Sequence, residues 1–344
     1  MRCPIADGRW PVLVLFPLLV SCARQAPVPV ATPPAPSPGP VAVTPTVQPV
    51  NMRRDGVVAA GAGFLQFRTE GTRGDTVLVP LASWLHPALA GLAEQHVVVF
   101  YDPRHRGHSH QLTDTTAATF DGDVADLELV RKNLGLGRVS VIGYDYYAGV
   151  AAAWAARNPQ SVNRLVLLSP IEPADSLARS WNPPERMARI DTTAARALVK
   201  ARAAGRDTSD AVNYCMEFWR LNARVFVGDT ARAGQVGTGL CQIQNESPAR
   251  VADAAGRTLS SLGPAVDIGA AANGLTAPTL VMHGRLDLVA NPEGAREWTR
   301  RIPGARLLWL SNVGHLPHIE AASIVIDAIN DFLAGGWPPR AGPP

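Results

Sequence analysis

Short apolar runs alternate with longer amphipathic stretches along most of the chain from residue 56 onward. Apolar or alternating runs of about four to eight residues predict β-strands, and apolar residues three or four positions apart predict helices. Alternation of strands and helices indicates an α/β fold, in which helices cover both faces of a mostly parallel sheet. The predicted strands are 63–70, 76–81, 96–102, 138–143, 162–169, 278–284 and 305–310, and the predicted helices are 83–95, 121–134, 145–157, 292–301 and 319–333.

This alternation stops between residues 172 and 271. Strand signals disappear there, and Ala, Arg and scattered aromatic residues dominate the composition. We therefore predict a helical cap, inserted into a core that consists of residues 56–171 and 272–336. Residues 337–344 are predicted to form a disordered tail.

Residues 1–22 have the pattern of a targeting segment. Two arginines accompany a short apolar run over 10–20, which is too short to span a bilayer. The run ends in Leu19-Val20-Ser21-Cys22. This ending resembles the signal of a bacterial lipoprotein, in which cleavage leaves Cys22 as the new N-terminus and lipid is attached to it. A plain secretory signal, with Cys22 incidental, is the alternative.

Residues 23–55 are predicted to be a Pro-rich, disordered linker. From residue 27 to residue 50, Pro recurs at nearly every second or third position, and such stretches extend by about 3.1 Å per residue. Together with the lipid, this linker predicts an exported protein anchored to the bacterial cell envelope and facing the periplasm or the exterior. The linker would hold the folded domain away from the membrane.

Cys215 and Cys241 are the two cysteines outside the targeting segment. Disulfides persist in exported proteins, so we predict that these two residues pair. The chain-entropy account gives a bridge of this span about 3–4 kcal/mol of stability. Two separate buried thiols are the alternative.

The composition argues against several classes of function. A net charge of +3 over 344 residues is too small to indicate a nucleic-acid or acidic partner. The sequence contains neither a P-loop nor a CxxC pair. His105, His108 and His110 share one short loop without a carboxylate or Cys at ligand spacing, which indicates a solvated loop rather than a metal site. No cofactor is expected.

The segment VSVIGYDYYAG at 139–149 carries the most specific chemical signal. A strand runs into Gly143, Asp145 follows two residues later, and an Ala-rich helix comes next. This is the layout of a nucleophile elbow, a sharp strand-to-helix turn that exposes one side chain at the top of a sheet. Ser is the usual residue at the apex, whereas this chain has a carboxylate there.

Several segments, in the expected order, resemble the motifs of the α/β-hydrolase superfamily. YDPRHRGHS at 101–109 is similar to a DxRGxGxS loop, and the elbow follows it. APTLVMHGRLDLVANP at 277–292 is similar to the loop of the catalytic acid, which would be Asp287. SNVGHLPHIE at 311–320 is similar to the loop of the catalytic histidine, which would be His315. The likeness is to the capped branch, which includes proline iminopeptidases, epoxide hydrolases and haloalkane dehalogenases.

The resemblance implies a two-step reaction. Asp145 would attack a saturated carbon of an epoxide or alkyl halide and form an ester, which water activated by His315 would hydrolyse. Asp287 would orient the imidazole. The backbone N–H groups of Ala82 and Tyr146 would form the oxyanion hole for the second step. Attack on an ester or amide carbonyl would instead give an anhydride, which is an uphill intermediate.

Some positions depart from the superfamily's pattern. Pro80 and Leu81 stand where the strand before the first helix ordinarily ends in His-Gly. Tyr147 stands two residues after the apex, where a small residue is usual, and Tyr146 stands where Trp is common. Epoxide opening also requires an acid, usually a pair of cap tyrosines, and the predicted cap contains only Tyr214.

Three interpretations of function remain open. The first is a hydrolase that uses Asp145 as nucleophile on a small-molecule substrate. The second is a catalytically inactive binding protein on the same fold, which the altered oxyanion loop and bulky Tyr147 favour. The third is a proline-iminopeptidase-like ester or peptide hydrolase with another nucleophile. Tyr147, Tyr214 and Trp219 are the expected lining of the substrate pocket, and packing inside the cap is the alternative role for Trp219.

Overall fold

The computed structural model describes residues 54–343, apart from 112–117, 175–176, 178–180 and 263–266. The predicted targeting segment and almost all of the predicted linker lie outside this range. None of the helices in the described part of the chain combines the length and apolarity needed to cross a bilayer.

Eight strands form one sheet in the described residues, in the order β1-β2-β4-β3-β5-β6-β7-β8. The pairs β1–β2 and β2–β4 are antiparallel, and every other neighbouring pair is parallel. This confirms the mostly parallel α/β sheet predicted from the sequence. The strands are β1 (Arg54–Ala60), β2 (Gly63–Glu70), β3 (Thr76–Pro80), β4 (Val97–Tyr101), β5 (Val139–Tyr144), β6 (Val162–Leu168), β7 (Thr279–Gly284) and β8 (Arg306–Leu310).

Helices cover the sheet and bury its central strands. All residues of β4, β5 and β7 are buried, as expected for parallel strands with helices on both faces. The described α-helices are α1 (Ala82–Leu89), α2 (Phe120–Asn133), α3 (Tyr146–Arg157), α4 (Pro184–Ala188), α5 (Thr192–Ala203), α6 (Arg206–Ser209), α7 (Ala211–Phe226), α8 (Pro248–Ser260), α9 (Pro292–Arg301), α10 (Pro317–Glu320) and α11 (Ala322–Leu333). The small side chains of α3 let it lie close against β5 and β6.

The segment between β6 and β7 contains α4 to α8 and contributes no strand to the sheet within its described residues. Its longest helix, α7, buries one apolar face that includes Phe218, Trp219 and Phe226. Cys215 of α7 forms a disulfide with Cys241. This disulfide ties α7 to the segment that precedes α8.

The first strand differs from the sequence-based prediction. β1 begins at Arg54, inside the predicted linker, and pairs with β2 from Arg54↔Thr69 to Ala60↔Gly63. Only Val58 and Ala60 of this strand are buried. An edge strand with so few buried positions leaves little apolar alternation in its sequence, so it was missed.

The C-terminal segment is also different from the prediction of a disordered tail over 337–344. Gly342 exchanges two backbone hydrogen bonds with Leu307 of β8, at 2.7 and 3.1 Å. The ring of Trp337 lies 5.0 Å from that of Phe332 and 4.6 Å from the Arg306 guanidinium. Backbone pairing of this kind depends on a distant strand, so the local composition gave no sign of it.

The start of α1 differs as well. The sequence predicts a helix over 83–95, but the N-cap residue is Leu81, and α1 ends at Leu89 and is followed by a 3₁₀ turn over Ala90–Glu94. Both the backbone N–H and the hydroxyl of Ser83 donate to Asp102, at 2.8 Å each. The Ser83 hydroxyl therefore braces the loop after β4 instead of capping the helix.

Candidate active site

The turn between β5 and α3 has the backbone of a nucleophile elbow. Asp145 has φ 53° and ψ −125°, which non-glycine residues rarely adopt and which costs of order 1–3 kcal/mol. A Cβ on Gly143 would lie 2.4 Å from the Tyr147 carbonyl oxygen, so this position requires glycine. The strained turn presents the Asp145 side chain at the carboxyl end of the central strand.

Three predicted site residues come together at this edge of the sheet. His315 Nε2 lies 3.4 Å from Asp145 Oδ1, and His315 Nδ1 lies 2.8 Å from Asp287 Oδ2. The Asp145 side chain is 36% exposed, whereas those of His315 and Asp287 are 2% and 0% exposed. The carboxylate at the elbow is thus open to an incoming molecule, and the pair behind it is shielded from water.

Asp287 is fixed by its own loop. Its Oδ1 atom accepts the N–H groups of Val289 and Ala290, at 2.7 and 2.9 Å, and its Oδ2 atom faces His315 and also His283, 3.3 Å away. Burial opposes ionisation of Asp287, but the positive charge and hydrogen bond of His315 outweigh it and lower the pKa of the carboxyl. Asp287 is therefore a carboxylate that orients the imidazole.

The His315 loop is held by contacts from distant parts of the chain. The His315 N–H donates to the carbonyl of Phe226, at the end of α7. Glu320 accepts the N–H groups of Gly314 and Gly228, at 2.7 and 2.8 Å. Both the cap and the end of α10 therefore fix the position of the imidazole.

The charge of His315 follows from its two carboxylate neighbours. Burial alone would lower the pKa of the imidazole, but Asp287 and Asp145 together raise it to about 10. Burial lowers the pKa values of His318 and His283, and the nearby charge of His315 lowers them further. The resting site therefore holds an imidazolium between two carboxylates.

The two N–H groups predicted for an oxyanion hole are placed at the starts of α1 and α3. Ala82 and Tyr146 are the first residues of these helices, where backbone N–H groups have no intrahelical acceptor. The preceding strands, β3 and β5, are parallel neighbours, so both helix starts lie at the same edge of the sheet. Neither N–H donates a hydrogen bond to any described residue.

Leu81 preserves the turn that His-Gly ordinarily makes. Its backbone is left-handed, with φ 70° and ψ 49°, a conformation that costs an L-residue about 1–2 kcal/mol. Leu81, in place of the usual glycine, therefore adds strain, but the turn is retained. Ala82 still begins α1 at the position expected of an oxyanion donor.

The tyrosines after Asp145 turn away from its carboxylate. The Tyr146 hydroxyl donates to Asp123 of α2, at 2.9 Å, and the buried Tyr147 ring lies 5.9 Å from the Arg106 guanidinium carbon. Burial raises the pKa of Asp123 to about 7 despite the Tyr146 hydrogen bond. The bulk of both rings is accommodated behind the elbow, so Asp145 is not covered by them.

A buried carboxylate joins the cap to the core beside the elbow. Glu246 accepts Arg106 Nε at 3.0 Å, Arg106 Nη2 at 2.8 Å, Trp84 Nε1 at 2.6 Å and the Gly107 N–H at 2.7 Å. Its side chain is 0% exposed. We refer to Glu246 with its donors Arg106, Trp84 and Gly107 as the cap clamp. Sequence analysis did not identify it, because the partners are distant in sequence.

The other predicted pocket residues separate in the structure. The Trp219 ring lies 5.5 Å from that of Trp84 and 5.2 Å from that of Phe226, whose ring is 5.8 Å from His315. Trp219 therefore belongs to an aromatic cluster between the cap and the imidazole. Tyr214 is buried elsewhere in the cap, where its charged neighbours are Arg202 and Asp207.

The loop histidines do not form a metal site. No group of three or more His, Cys, Asp or Glu side chains within the described ranges is arranged to hold a metal ion. His108 is exposed, and its N–H donates to Asp102 at 3.0 Å. The Ser109 hydroxyl also donates to the backbone of Asp102. These contacts brace the loop after β4.

Comparisons with known proteins agree with this architecture. The sequence profile described as the alpha/beta hydrolase fold matches residues 81–322. A proline iminopeptidase of Heyndrickxia coagulans is 25% identical over 258 residues, which is 71% of this chain and 84% of that protein.

Solved structures give the same result for the fold. An enol-lactonase from Burkholderia xenovorans covers 81% of this chain and 100% of its own, with 23% identity and a TM-score of 0.59. A thermophilic esterase from Thermogutta terrifontis covers 83% and 98%, with 20% identity and a TM-score of 0.59. The chain belongs to the alpha/beta hydrolase fold family.

Proposed function

We propose that the protein is a hydrolase that uses Asp145 as a nucleophile on electrophilic saturated carbon, with epoxides and alkyl halides as the substrate class. The main support is the arrangement of an accessible Asp145 carboxylate 3.4 Å from a buried imidazole that Asp287 orients. A carboxylate needs no base for attack, and its product at saturated carbon is an ordinary ester.

The first step forms a covalent intermediate. An Asp145 oxygen attacks the carbon, the carbon–halogen or carbon–oxygen bond of the substrate breaks, and an alkyl ester remains on Asp145. A halide leaves as the free anion, whereas the oxygen of an opened epoxide stays on the alkyl group and takes up a proton from water. The ester carries no charge. The imidazole of His315 is then left with one carboxylate neighbour, Asp287, instead of two.

This loss of charge prepares the second step. In the resting site, Asp145 and Asp287 keep His315 protonated by raising its pKa to about 10. Esterification of Asp145 removes one of these two causes, so the pKa of His315 falls. The imidazolium releases its proton to solvent, and the neutral imidazole can then accept a proton from water. The resulting hydroxide attacks the ester carbonyl, and the N–H groups of Ala82 and Tyr146 would stabilise the oxyanion. The alcohol then leaves with the proton held by His315, which restores the Asp145 carboxylate.

A proline-iminopeptidase-like hydrolase with a serine nucleophile is the second candidate, because the chain is 25% identical to a proline iminopeptidase. The serines near the strand ends offer it little support. The Ser83 hydroxyl donates to Asp102, and Ser169, after β6, is fully buried. A binding protein without catalytic activity is the third candidate, and it predicts no covalent intermediate.

The intermediate can be trapped in the His315→Gln variant. We expect this variant to accumulate an alkyl adduct on the peptide that contains Asp145 after incubation with a panel of epoxides and haloalkanes, because alkylation does not need a base whereas ester hydrolysis does. Intact-protein and peptide mass spectrometry would measure the adduct. The matched control is the double variant with Asp145→Asn, which should remain unlabelled. Absence of label with every compound, together with tight binding of one of them, would favour the binding protein.

We also propose that the mature protein is exported and carries lipid on Cys22. The Cys215–Cys241 disulfide supports export, because disulfides persist in oxidising compartments. Cys22→Ala is expected to lose incorporation of an alkyne-labelled fatty acid and to move from the membrane pellet to the soluble fraction. Retention of the label in Cys22→Ala would exclude this proposal, and Cys3→Ala serves as the control.

A further inference from the structure

We propose that Glu246 of the cap is a positioning residue for the oxyanion hole. It would act through Trp84 on the Ala82 N–H and through Arg106 on the Tyr146 N–H. The inference rests on the proposed function, because these N–H groups serve the hydrolysis of the ester on Asp145.

In the cap clamp, both carboxylate oxygens of Glu246 accept hydrogen bonds and neither is exposed to solvent. Four N–H donors converge on these two oxygens. Burial opposes its ionisation, but Arg106 outweighs burial and lowers the pKa of the carboxyl. Charge-assisted bonds of this kind fix geometry strongly, and the cost of leaving a partner unpaired is high.

The first route runs through the start of α1. Trp84 Nε1 donates to Glu246 at 2.6 Å, and Trp84 lies only two residues after Ala82. The Trp84 ring also packs against Trp219 of the cap. Because both residues belong to the first turn of α1, a shift of Trp84 would move the Ala82 N–H.

The second route runs through the start of α3. Arg106 donates two bonds to Glu246, and its guanidinium carbon lies 5.9 Å from the centre of the Tyr147 ring. Tyr147 directly follows Tyr146 in the first turn of α3. The buried Tyr147 ring thus provides the contact by which Arg106 supports the elbow.

The cap makes a third contact with the site through the same segment. The Cys215–Cys241 disulfide links the segment that carries Glu246 to α7. At its end, α7 presents Phe226, whose carbonyl accepts the His315 N–H at 2.8 Å. One covalently tied part of the cap therefore contacts the oxyanion loop, the elbow and the histidine loop.

A positioning role and a purely structural role predict different kinetics. Loss of stability alone would reduce the amount of folded enzyme and lower both steps equally. Displacement of the oxyanion donors would slow ester hydrolysis, which forms an oxyanion, and leave alkylation of Asp145, which does not form one. Removing a single oxyanion donor lowers kcat by about 10²–10³-fold in other hydrolases.

The test compares the two steps in Trp84→Phe and Glu246→Gln. Trp84→Phe keeps an aromatic ring against Trp219 and removes the indole donor, so it is a milder change than loss of the Glu246 charge. With the alkylating compound that labels His315→Gln, we expect hydrolysis of the adduct to slow by about 10–100-fold relative to the wild type and alkylation to change by less than about 3-fold. The adduct should accumulate in quenched-flow mass spectrometry. Matched controls are Trp309→Phe and Glu217→Gln. The half-buried Trp309 ring lies 4.9 Å from the guanidinium carbon of Arg285 and 5.1 Å from that of Arg296, and Glu217 pairs with Arg206.

A second measurement does not require a substrate. In the ligand-free protein, we expect Trp84→Phe to shift the backbone N–H resonances of Ala82 and Tyr146, whereas Trp309→Phe leaves both unchanged. Unchanged resonances in a folded variant, or an equal slowing of both steps, would overturn the positioning role. Failure of His315→Gln to form any adduct would refute the proposed function alone, because the resonances still decide the role of Glu246.

Discussion

Replacement of Asp145 by Asn is expected to lower the pKa of His315 from about 10 and to reduce turnover by at least about 10⁴-fold. The amide has the shape of the carboxylate but lacks both its charge and its nucleophilicity, so only Asp287 still favours the imidazolium. Titration of the His315 ring nitrogens by NMR would measure the pKa. Asp287→Asn is the comparison, because Asp287 is the larger of the two causes that raise this pKa.

The same substitution should change the dependence of stability on pH. A histidine whose pKa is raised in the folded state contributes stability that is fully present below its unfolded pKa of about 6.5. In the wild type, this contribution is lost as the pH rises from there through about 10. In Asp145→Asn, the folded-state pKa of His315 is lower, so the contribution of His315 to stability should be lost completely at a lower pH. Urea denaturation at a series of pH values would show this, and identical profiles for both proteins would contradict the assignment of the ion pair.

Glu246→Ala is expected to destabilise the protein by about 3–5 kcal/mol, which is the usual effect of removing one partner from a buried ion pair. The variant would leave the Arg106 guanidinium buried without its carboxylate and would remove the acceptor of Trp84 Nε1. Chemical denaturation followed by tryptophan fluorescence would measure the change.

Glu217→Ala is the matched control for this prediction. Glu217 also pairs with an arginine through two bonds, but both side chains are substantially exposed. Exposed pairs contribute little to stability, so the free energy of unfolding of this variant should be close to that of the wild type. If Glu246→Ala and Glu217→Ala lowered the free energy of unfolding equally, burial would not be the reason that the Glu246–Arg106 pair stabilises the protein.

The protonation state of His315 connects the predicted effects of Asp145→Asn to the proposed mechanism. In the proposed mechanism, the imidazole stays protonated as long as Asp145 is charged, and it becomes a base only when the ester forms. Such a site would not activate water before the substrate has reacted. Under this proposal, the Asp at the elbow changes both the electrophile that can be attacked and the moment at which His315 acts.

The sequence determined the features that depend on local pattern and on spacing. Apolar periodicity gave the parallel sheet and its helices, because buried strands and amphipathic helices leave different spacings of apolar residues. The strand–Gly–x–Asp–helix order identified the elbow, because the sharp turn allows no Cβ at Gly143. Asp287 and His315 followed from the resemblance of their loops to those of the superfamily's catalytic acid and histidine. The Cys215–Cys241 pairing followed from counting the cysteines of a chain predicted to be exported.

Tertiary structure decided the features that depend on partners distant in the chain. Glu246 lies 140 positions from Arg106 and 162 from Trp84, and no local pattern distinguishes a clamped carboxylate from a solvated one. The direction of the Tyr147 ring, the pairing of Gly342 with β8 and the raised pKa of His315 also arise only when separate segments meet. Local sequence fixes the backbone geometry of a turn, whereas burial, charge and hydrogen-bond partners are properties of the assembled fold.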